Sequence, residues 1–99
     1  MIRRLRVSVR AAAEIERADA WWREHRLGAP DAFREDLKAA LALLTRQPEI
    51  GIQVAGARFA GTRRMHLDRV RYFIYYHVRS DELAVLSVWH SSRGRRPRV

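Results

Sequence analysis

The chain has 99 residues, no cysteine and a formal net charge of +9. This length suits a single domain, and the lack of thiols excludes a disulfide framework and a thiolate zinc site. No apolar run approaches the ~20 residues that a membrane-spanning helix needs, and the N-terminus lacks the apolar segment of a signal peptide. We therefore expect one domain over residues 1–99, in the cytoplasm, with no metal, no cofactor and no membrane contact.

Positive charge is concentrated at the two ends of the chain. Residues 1–10 carry four arginines and no acid, residues 61–99 carry nine basic and three acidic residues, and residues 11–60 are nearly balanced. A field of one sign indicates an acidic partner, either a nucleic acid or an acidic protein. The alternative is a merely solvated surface in a genome that favours arginine, since 19 of the 20 basic residues are arginine.

The first predicted element is a short strand at residues 2–8. Leu5 and Val7 share one of its faces, and Arg4 and Arg6 share the other. We expect the arginine face to be exposed, because charge on an edge strand also resists unwanted pairing. Leu5 and Val7 are then expected in the core.

A helix is predicted from Val9 to about Leu27. Ser8 is placed to cap its N-terminus, and Gly28 is placed to end it in a left-handed conformation. Its apolar stripe repeats at spacings of three and four residues and ends on Trp22. Trp21 widens the stripe and is either core or an anchor for a partner, because tryptophan is enriched at binding hot spots.

A second helix is predicted between Pro30, which suits a first turn, and Pro48, which ends it. Phe33, Leu37 and Leu41 belong to its apolar stripe. Only about two residues separate the helices, so we expect an antiparallel hairpin. A lone hairpin cannot hide both stripes, and one face of a sheet is the natural cover.

Three strands are predicted after an aperiodic connector at residues 47–62. They are the β-branched and aromatic runs Arg63–Leu67, Val70–Val78 and Leu83–His90. A basic tail from about residue 93 follows, and we expect it to be flexible.

The predicted fold class is α+β. An N-terminal strand and an antiparallel helical hairpin precede a three-stranded antiparallel meander, with one small, mostly antiparallel four-stranded sheet packed on the two helices. The expected core contains Leu5, Val7, Ile15, Trp22, Phe33, Leu37, Leu41, Ile74, Leu86 and Val88.

Several short motifs follow one another along nearly the whole chain. They are Val7-Ser8 before Ala13-Glu14-Ile15, Ala32-Phe33, Arg46-Gln47-Pro48-Glu49-Ile50-Gly51, Gly61-Thr62-Arg63-Arg64, Tyr72-Phe73-Ile74-Tyr75-Tyr76, and Val88-Trp89-His90 followed by Arg93. In their order and spacing the chain resembles the RelE/ParE superfamily of bacterial toxins from type II toxin–antitoxin pairs. It is most similar to the ParE branch.

The resemblance to ParE toxins implies a protein that acts on DNA gyrase without chemistry of its own. It also implies a cognate acidic antitoxin, ParD-like or similar, that neutralises the toxin in a hetero-oligomeric complex. The RelE branch implies instead a ribosome-dependent, metal-independent mRNA endoribonuclease. A basic nucleic-acid-binding module without toxicity is a further alternative, which the charge permits and no motif supports.

The catalytic candidates, if the chain is a nuclease, are Arg64, Arg71 and His90. Arginine stabilises a strained phosphate, and imidazole titrates near neutrality. The resemblance places Arg71 and His90 at positions similar to those that ribonuclease members use. The tyrosine that several ribonuclease members carry near the C-terminus is absent, since no tyrosine follows Tyr76. This absence favours a toxin without catalysis.

Partner-binding candidates are basic side chains of the strands and tail, together with one tryptophan. They are Arg4, Arg6, Trp21, Arg63, Arg64, Arg71, Arg93, Arg95 and Arg96. We expect an acidic antitoxin segment to lie across such arginines and across apolar grooves of the helices. Its affinity should then fall as salt rises, because salt screens exposed charges.

Overall fold

A computed structural model describes residues 1–99, which form two helices and five strands. In chain order these are β1 (Arg4–Val7), α1 (Val9–His25), α2 (Ala32–Arg46), β2 (Ile52–Gln53), β3 (Arg63–Leu67), β4 (Tyr72–Arg79) and β5 (Glu82–His90). The predicted α+β class is confirmed, with a first strand, a helical hairpin and then a meander. Neither helix has the length and apolar character to cross a membrane.

The sheet is mixed and has the strand order β1-β5-β4-β3-β2. β3, β4 and β5 form the predicted antiparallel meander, and β2 pairs antiparallel with β3. β1 pairs with β5 in parallel, with Arg4 opposite Glu82 and Val7 opposite Val85. The expectation of four strands was wrong by one, because β2 has only two residues and leaves no periodic signal in the connector.

Ser8, between β1 and α1, hydrogen-bonds to β5 and to the first turn of α1. Its backbone N–H donates to the carbonyl of Val85 at 3.0 Å, and its hydroxyl donates to the carbonyl of Leu86 at 3.2 Å. The same hydroxyl accepts from the N–H of Ala11 at 3.0 Å, which satisfies a donor of the first helical turn. The predicted cap is confirmed.

The loop between the helices is longer than the sequence predicted. α1 ends at His25, and Gly28 does not adopt the positive φ that was expected of it. Residues 26–31 therefore link the helices. The indole Nε1 of Trp22 donates to the carbonyl of Ala29 at 2.9 Å and fastens this loop to α1.

A buried carboxylate connects the two helices. Asp19 of α1 is only 6% exposed, and its Oδ2 accepts from Nε of Arg34 of α2 at 2.8 Å and from Nε of Arg23 at 3.2 Å. Burial by itself raises the pKa of Asp19, but the hydrogen bonds and charges of Arg34 and Arg23 outweigh it and lower the pKa below its ordinary value. Asp19 is therefore ionised at neutral pH and holds the hairpin together.

The helices cover one face of the sheet, and the core lies between them. Its largest fully buried side chains include Phe33 and Leu44 of α2 and Ile74, Tyr76 and Leu83 of the sheet. Full burial of such a side chain contributes about 1.5–3 kcal/mol. This layer therefore supplies most of the hydrophobic stabilisation.

Most of the predicted core is at least partly buried, but β1 is not. Phe33, Leu37, Ile74 and Val88 are buried, and Ile15, Trp22, Leu41 and Leu86 are partly buried. Leu5 and Val7 are 45% and 38% exposed, so their assignment to the core was wrong. β1 lies at the edge of the sheet, where the helical hairpin leaves its apolar side chains largely uncovered.

The connector is fastened to the sheet at Tyr76. The phenol donates to the carbonyl of Pro48 at 2.7 Å and accepts from the N–H of Gly51 at 3.0 Å. A Cβ on Gly51 would lie 2.5 Å from the Tyr76 hydroxyl oxygen, so only glycine allows this approach. Arg63 adds hydrogen bonds from Nη1 to the carbonyls of Gly51 at 2.7 Å and Glu49 at 3.1 Å.

Candidate functional site

The face of the sheet opposite the helices, called the outer face below, carries aromatic and polar side chains. Residues that pair directly across neighbouring strands share a face. The register therefore groups Arg64 with Tyr75 and Ser87, and His66 with Phe73 and Trp89. Tyr75, Ser87 and Trp89 are buried. The first turns of α1 reach the edge of this face, where the Ser87 hydroxyl donates to Glu14 at 2.9 Å and Arg10 lies over the Trp89 ring. Another part of the chain covers the rest.

The cover over Trp89 is the C-terminal tail. The indole Nε1 of Trp89 donates to the carbonyl of Arg95 at 2.9 Å, and the guanidinium of Arg96 donates to the carbonyl of Ala55 in the connector. Pro97 is buried beneath the surface. The sequence predicted a flexible tail and gave no sign of these contacts. They hold the tail arginines over the outer face.

A cleft of about 310 Å³ lies between the tail and the outer face, and we call it the basic cleft. Its basic residues are Arg64, His90, Arg93, Arg95 and Arg96, and its aromatic residues are Phe73, Tyr75 and Trp89. The chain forms nine ion pairs, and none involves an arginine of this cleft. The cleft is therefore a concentration of uncompensated positive charge.

Two of the cleft arginines are stacked on aromatic rings. Cζ of Arg93 lies 4.0 Å from the ring centroid of Trp89, and Cζ of Arg64 lies 4.3 Å from that of Phe73. Nη1 of Arg64 also donates to the Tyr75 hydroxyl at 3.3 Å. Stacking holds a guanidinium in place by cation–π attraction while leaving N–H groups available to an anion.

His90 is neutral at physiological pH and has a defined tautomer. Burial, followed by the charges of Arg93, Arg71 and His66, lowers its pKa below the ordinary value. The backbone N–H of Ser92 donates to Nδ1 at 3.1 Å, so Nδ1 carries no proton and Nε2 carries the hydrogen. In this state the imidazole has no free lone pair to act as a general base.

The three catalytic candidates are only partly brought together. Arg64 and His90 both line the basic cleft, whereas Arg71 does not. Arg71 lies in the turn before β4 with a left-handed φ of 66°, and its carbonyl accepts from the N–H of Ser91 at 2.8 Å. Its charge lowers the pKa of His90, but its guanidinium is not part of the cleft wall.

The remaining arginine candidates fall into three groups. Arg93, Arg95 and Arg96 line the basic cleft with Arg64, whereas Arg63 is occupied by the connector carbonyls described above. Arg4 and Arg6 form exposed ion pairs with Asp81 at 3.0 Å and Glu82 at 2.9 Å. These exposed pairs contribute little stability, so both arginines can exchange partners.

Trp21 lies on the surface of α1, away from the basic cleft. It is 40% exposed and stacks on His25 with ring centroids 4.6 Å apart. The guanidinium of Arg26 covers it at 4.9 Å. Trp22 packs against the core instead, so the two neighbouring tryptophans have different environments.

A second surface feature lies between β1 and α2, and we call it the apolar groove. It has a volume of about 460 Å³ and is lined by Leu5, Arg34, Leu37, Lys38, Leu41, Ala42 and Thr45. Sequence analysis expected apolar grooves on the helices but placed the leucines of this one in the core. The sequence feature that could have indicated this groove is the pair Arg34 and Lys38. They flank the apolar stripe of α2 and place positive charge beside it.

No group of three histidine, aspartate or glutamate side chains comes together in a way that would hold a metal ion.

A mixed sheet with a helical hairpin on one face and an arginine-rich opposite face is the architecture expected of a small toxin of the RelE/ParE type. Residues 5–95 match the family described as the ParE toxin of the type II toxin–antitoxin system parDE. The chain belongs to the ParE toxin family.

A solved structure described as the chromosomal ParDE TA system from P. aeruginosa has a similar fold. It is 16% identical in sequence, with a TM-score of 0.60 over 90% of this chain and 96% of that chain. A comparison with curated proteins gives no match.

Proposed function

We propose that this ParE-family toxin inhibits bacterial growth by acting on DNA gyrase without catalytic chemistry, and that a cognate acidic antitoxin neutralises it in the cytoplasm. The state of His90 carries the mechanistic part of this proposal. Cleavage of RNA needs one group to remove the 2′-hydroxyl proton and another to protonate the leaving oxygen. The imidazole has its Nδ1 lone pair occupied and a lowered pKa, so it suits neither task.

The tyrosines do not replace the missing acid and base. Burial raises the pKa of Tyr72 and of Tyr76, so neither phenol is a base. Neither is placed to act as the acid, because both pack with the core against the helices and the Tyr76 hydroxyl already donates to Pro48. Tyr75 is 1% exposed and lies beneath the cleft arginines. The arginines can bind a phosphate, but each proton-transfer group contributes ~10²–10⁴-fold to a rate, so cleavage without them is slow.

The test of mechanism is expression of the toxin without its antitoxin. A gyrase-directed toxin should induce DNA-damage signalling and filamentation while translation continues, and purified gyrase with DNA and toxin should accumulate cleaved DNA. His90→Gln should stay toxic. Arg71→Ala is compared with Arg79→Ala, an exposed arginine of the β4–β5 hairpin.

The ribonuclease alternative makes the opposite prediction. Translation would stop first, mRNA would be cut at ribosome-occupied codons, and both His90→Gln and Arg71→Ala would abolish toxicity and mRNA cleavage together. If these variants remain folded, still bind antitoxin and behave in this way while Arg79→Ala stays toxic, the gyrase proposal is wrong.

The apolar groove supports the antitoxin part of the proposal. Leu5, which is 45% exposed, and the α2 leucines offer apolar contact, while Arg34 and Lys38 offer positive charge beside it. An amphipathic acidic segment is complementary to both, with its apolar side chains in the groove and its carboxylates on the two cations. Such a segment can be disordered when free and fold on binding.

Leu5→Glu tests this placement. The leucine is already exposed, so the variant should fold and remain toxic, but an acidic segment should be repelled and fail to neutralise it. Val9→Glu is the matched control, since Val9 is 89% exposed and does not line the groove. The antitoxin to test is the product of the short acidic reading frame that we expect beside this gene. If it neutralises both variants equally well, the groove is not its binding site.

A further inference from the structure

The basic cleft contains hydrogen-bond donors that the protein itself does not use. The side chains of Arg93 and Arg95 donate no hydrogen bond within the chain, and those of Arg64 and Arg96 each donate one, to Tyr75 and to Ala55. Each guanidinium has five N–H donors. Most of the donors in this cleft are therefore available to a ligand with several negatively charged oxygens.

The geometry of the cleft suits nucleotides better than an acidic helix. Its volume of about 310 Å³ is at the lower end of the range for small-ligand sites, which is roughly 300–1,000 Å³. A helix with its side chains is about 10–12 Å in diameter and is too bulky for so small a cleft. The planes of Arg93 and Arg64 are fixed by Trp89 and Phe73. Unpaired bases stack on guanidinium planes of this kind, and basic grooves with aromatic rings follow single strands.

We propose that the basic cleft binds a short single-stranded segment of nucleic acid, with backbone phosphates on Arg64, Arg93 and Arg95 and bases against the stacked guanidinium planes. The segment is held and not cleaved. This binding is a property of the toxin alone and does not depend on gyrase being its target. It gives the toxin direct contact with a nucleic acid strand as well as with a protein.

The test is fluorescence anisotropy of a labelled eight-nucleotide oligo-dT with wild-type toxin and two charge-matched double variants. Arg64→Gln/Arg93→Gln removes the stacked pair, and Arg17→Gln/Arg46→Gln removes two exposed arginines on the helices. Both variants lose two positive charges, so the general field of the protein falls equally. The cleft variant should bind about 10- to 100-fold more weakly than the helix variant, as expected for the loss of charge-assisted phosphate contacts.

Salt dependence and an NMR shift of the Trp89 indole provide independent readouts. The slope of log affinity against log salt should be shallower by about 1.4 in the cleft variant than in wild type, because two single-strand phosphate contacts are lost. In wild type and in the helix variant, oligo-dT should shift the NMR resonance of the Trp89 indole N–H, since Trp89 lines the cleft beneath Arg93. Arg93→Gln alone serves if the double variant unfolds, because Arg93 makes only a stacking contact through its side chain.

The proposal would be overturned by equal loss of affinity in both double variants or by an unchanged Trp89 indole resonance on saturation with oligo-dT. Tighter binding of poly-glutamate than of oligo-dT would also overturn it. Binding of two further ligands, a duplex of the same length and inorganic phosphate, is measured in the same way. Tighter binding of the duplex would exclude a single-strand site, and saturation by millimolar phosphate with the affinity of oligo-dT would exclude any contribution from bases.

Discussion

Removal of the Tyr76 hydroxyl should loosen the connector and lower the stability of the whole chain. In Tyr76→Phe the N–H of Gly51 and the carbonyl of Pro48 both lose their partner, at present 3.0 and 2.7 Å away. Tyr76 and Gly51 are buried and Pro48 is partly buried, so water replaces these bonds poorly. Each unsatisfied group costs ~1–3 kcal/mol, and we expect the free energy of unfolding to fall by about 2–4 kcal/mol in total.

Urea unfolding followed by tryptophan fluorescence measures this change. Tyr72→Phe is the control, because Tyr72 lies on the same strand and its hydroxyl makes no hydrogen bond within the chain. The control should lose about 1 kcal/mol or less. Amide exchange at Gly51 should rise only in Tyr76→Phe. If the two variants lose the same free energy, the hydroxyl does not anchor the connector and the reasoning fails.

Three further changes have defined outcomes. Gly51→Ala should destabilise the chain more than Tyr76→Phe does, since its Cβ would lie 2.5 Å from the Tyr76 hydroxyl oxygen. Thermal melting measures this loss, and an unchanged melting temperature would contradict the close contact. The folded-state pKa of Asp19 is lowered, so its contribution to folding stability is present above the ordinary pKa of 3.8 and is lost as pH falls below it. The free energy of unfolding of Asp19→Asn should therefore change less with pH in this acid range than that of wild type. Parallel pH profiles would show that the ionised Asp19 does not hold the two helices together. Trp89→Phe should free the tail by removing the bond to Arg95, visible as faster exchange of the tail amides, and equal protection in both proteins would show that the tail is held by other contacts.

Local sequence rules predicted the elements whose signals are local. The bounds of β3 at Arg63–Leu67 and the cap at Ser8 agree with the structure, because strand composition and capping depend on a few neighbouring residues. The resemblance to ParE toxins, carried by motifs spread over the chain, also predicted the family that the residue match shows.

The errors concern contacts between residues that are distant in sequence. Alternation in residues 2–8 indicated that Leu5 faces the core, but it does not reveal that β1 lies at the sheet edge. The basic composition of residues 93–99 is typical of a free tail, and only the folded sheet presents Trp89 to the Arg95 carbonyl. Arg64, Arg93, Arg95 and Arg96 were among the predicted partner-binding residues, but the sequence did not show that the sheet and the tail bring them together in one cleft.

The parallel pairing of β1 with β5 has a consequence for synthesis of the toxin. Residues 4–7 pair with residues 82–85, so this edge of the sheet forms only after nearly the whole chain has left the ribosome. Closing so long a loop is entropically costly, and folds with such distant pairings form more slowly than helical ones. Leu5 lies on β1, and the apolar groove is therefore completed late. An antitoxin that binds this groove would recognise only a finished toxin, which ties neutralisation to the end of folding rather than to translation.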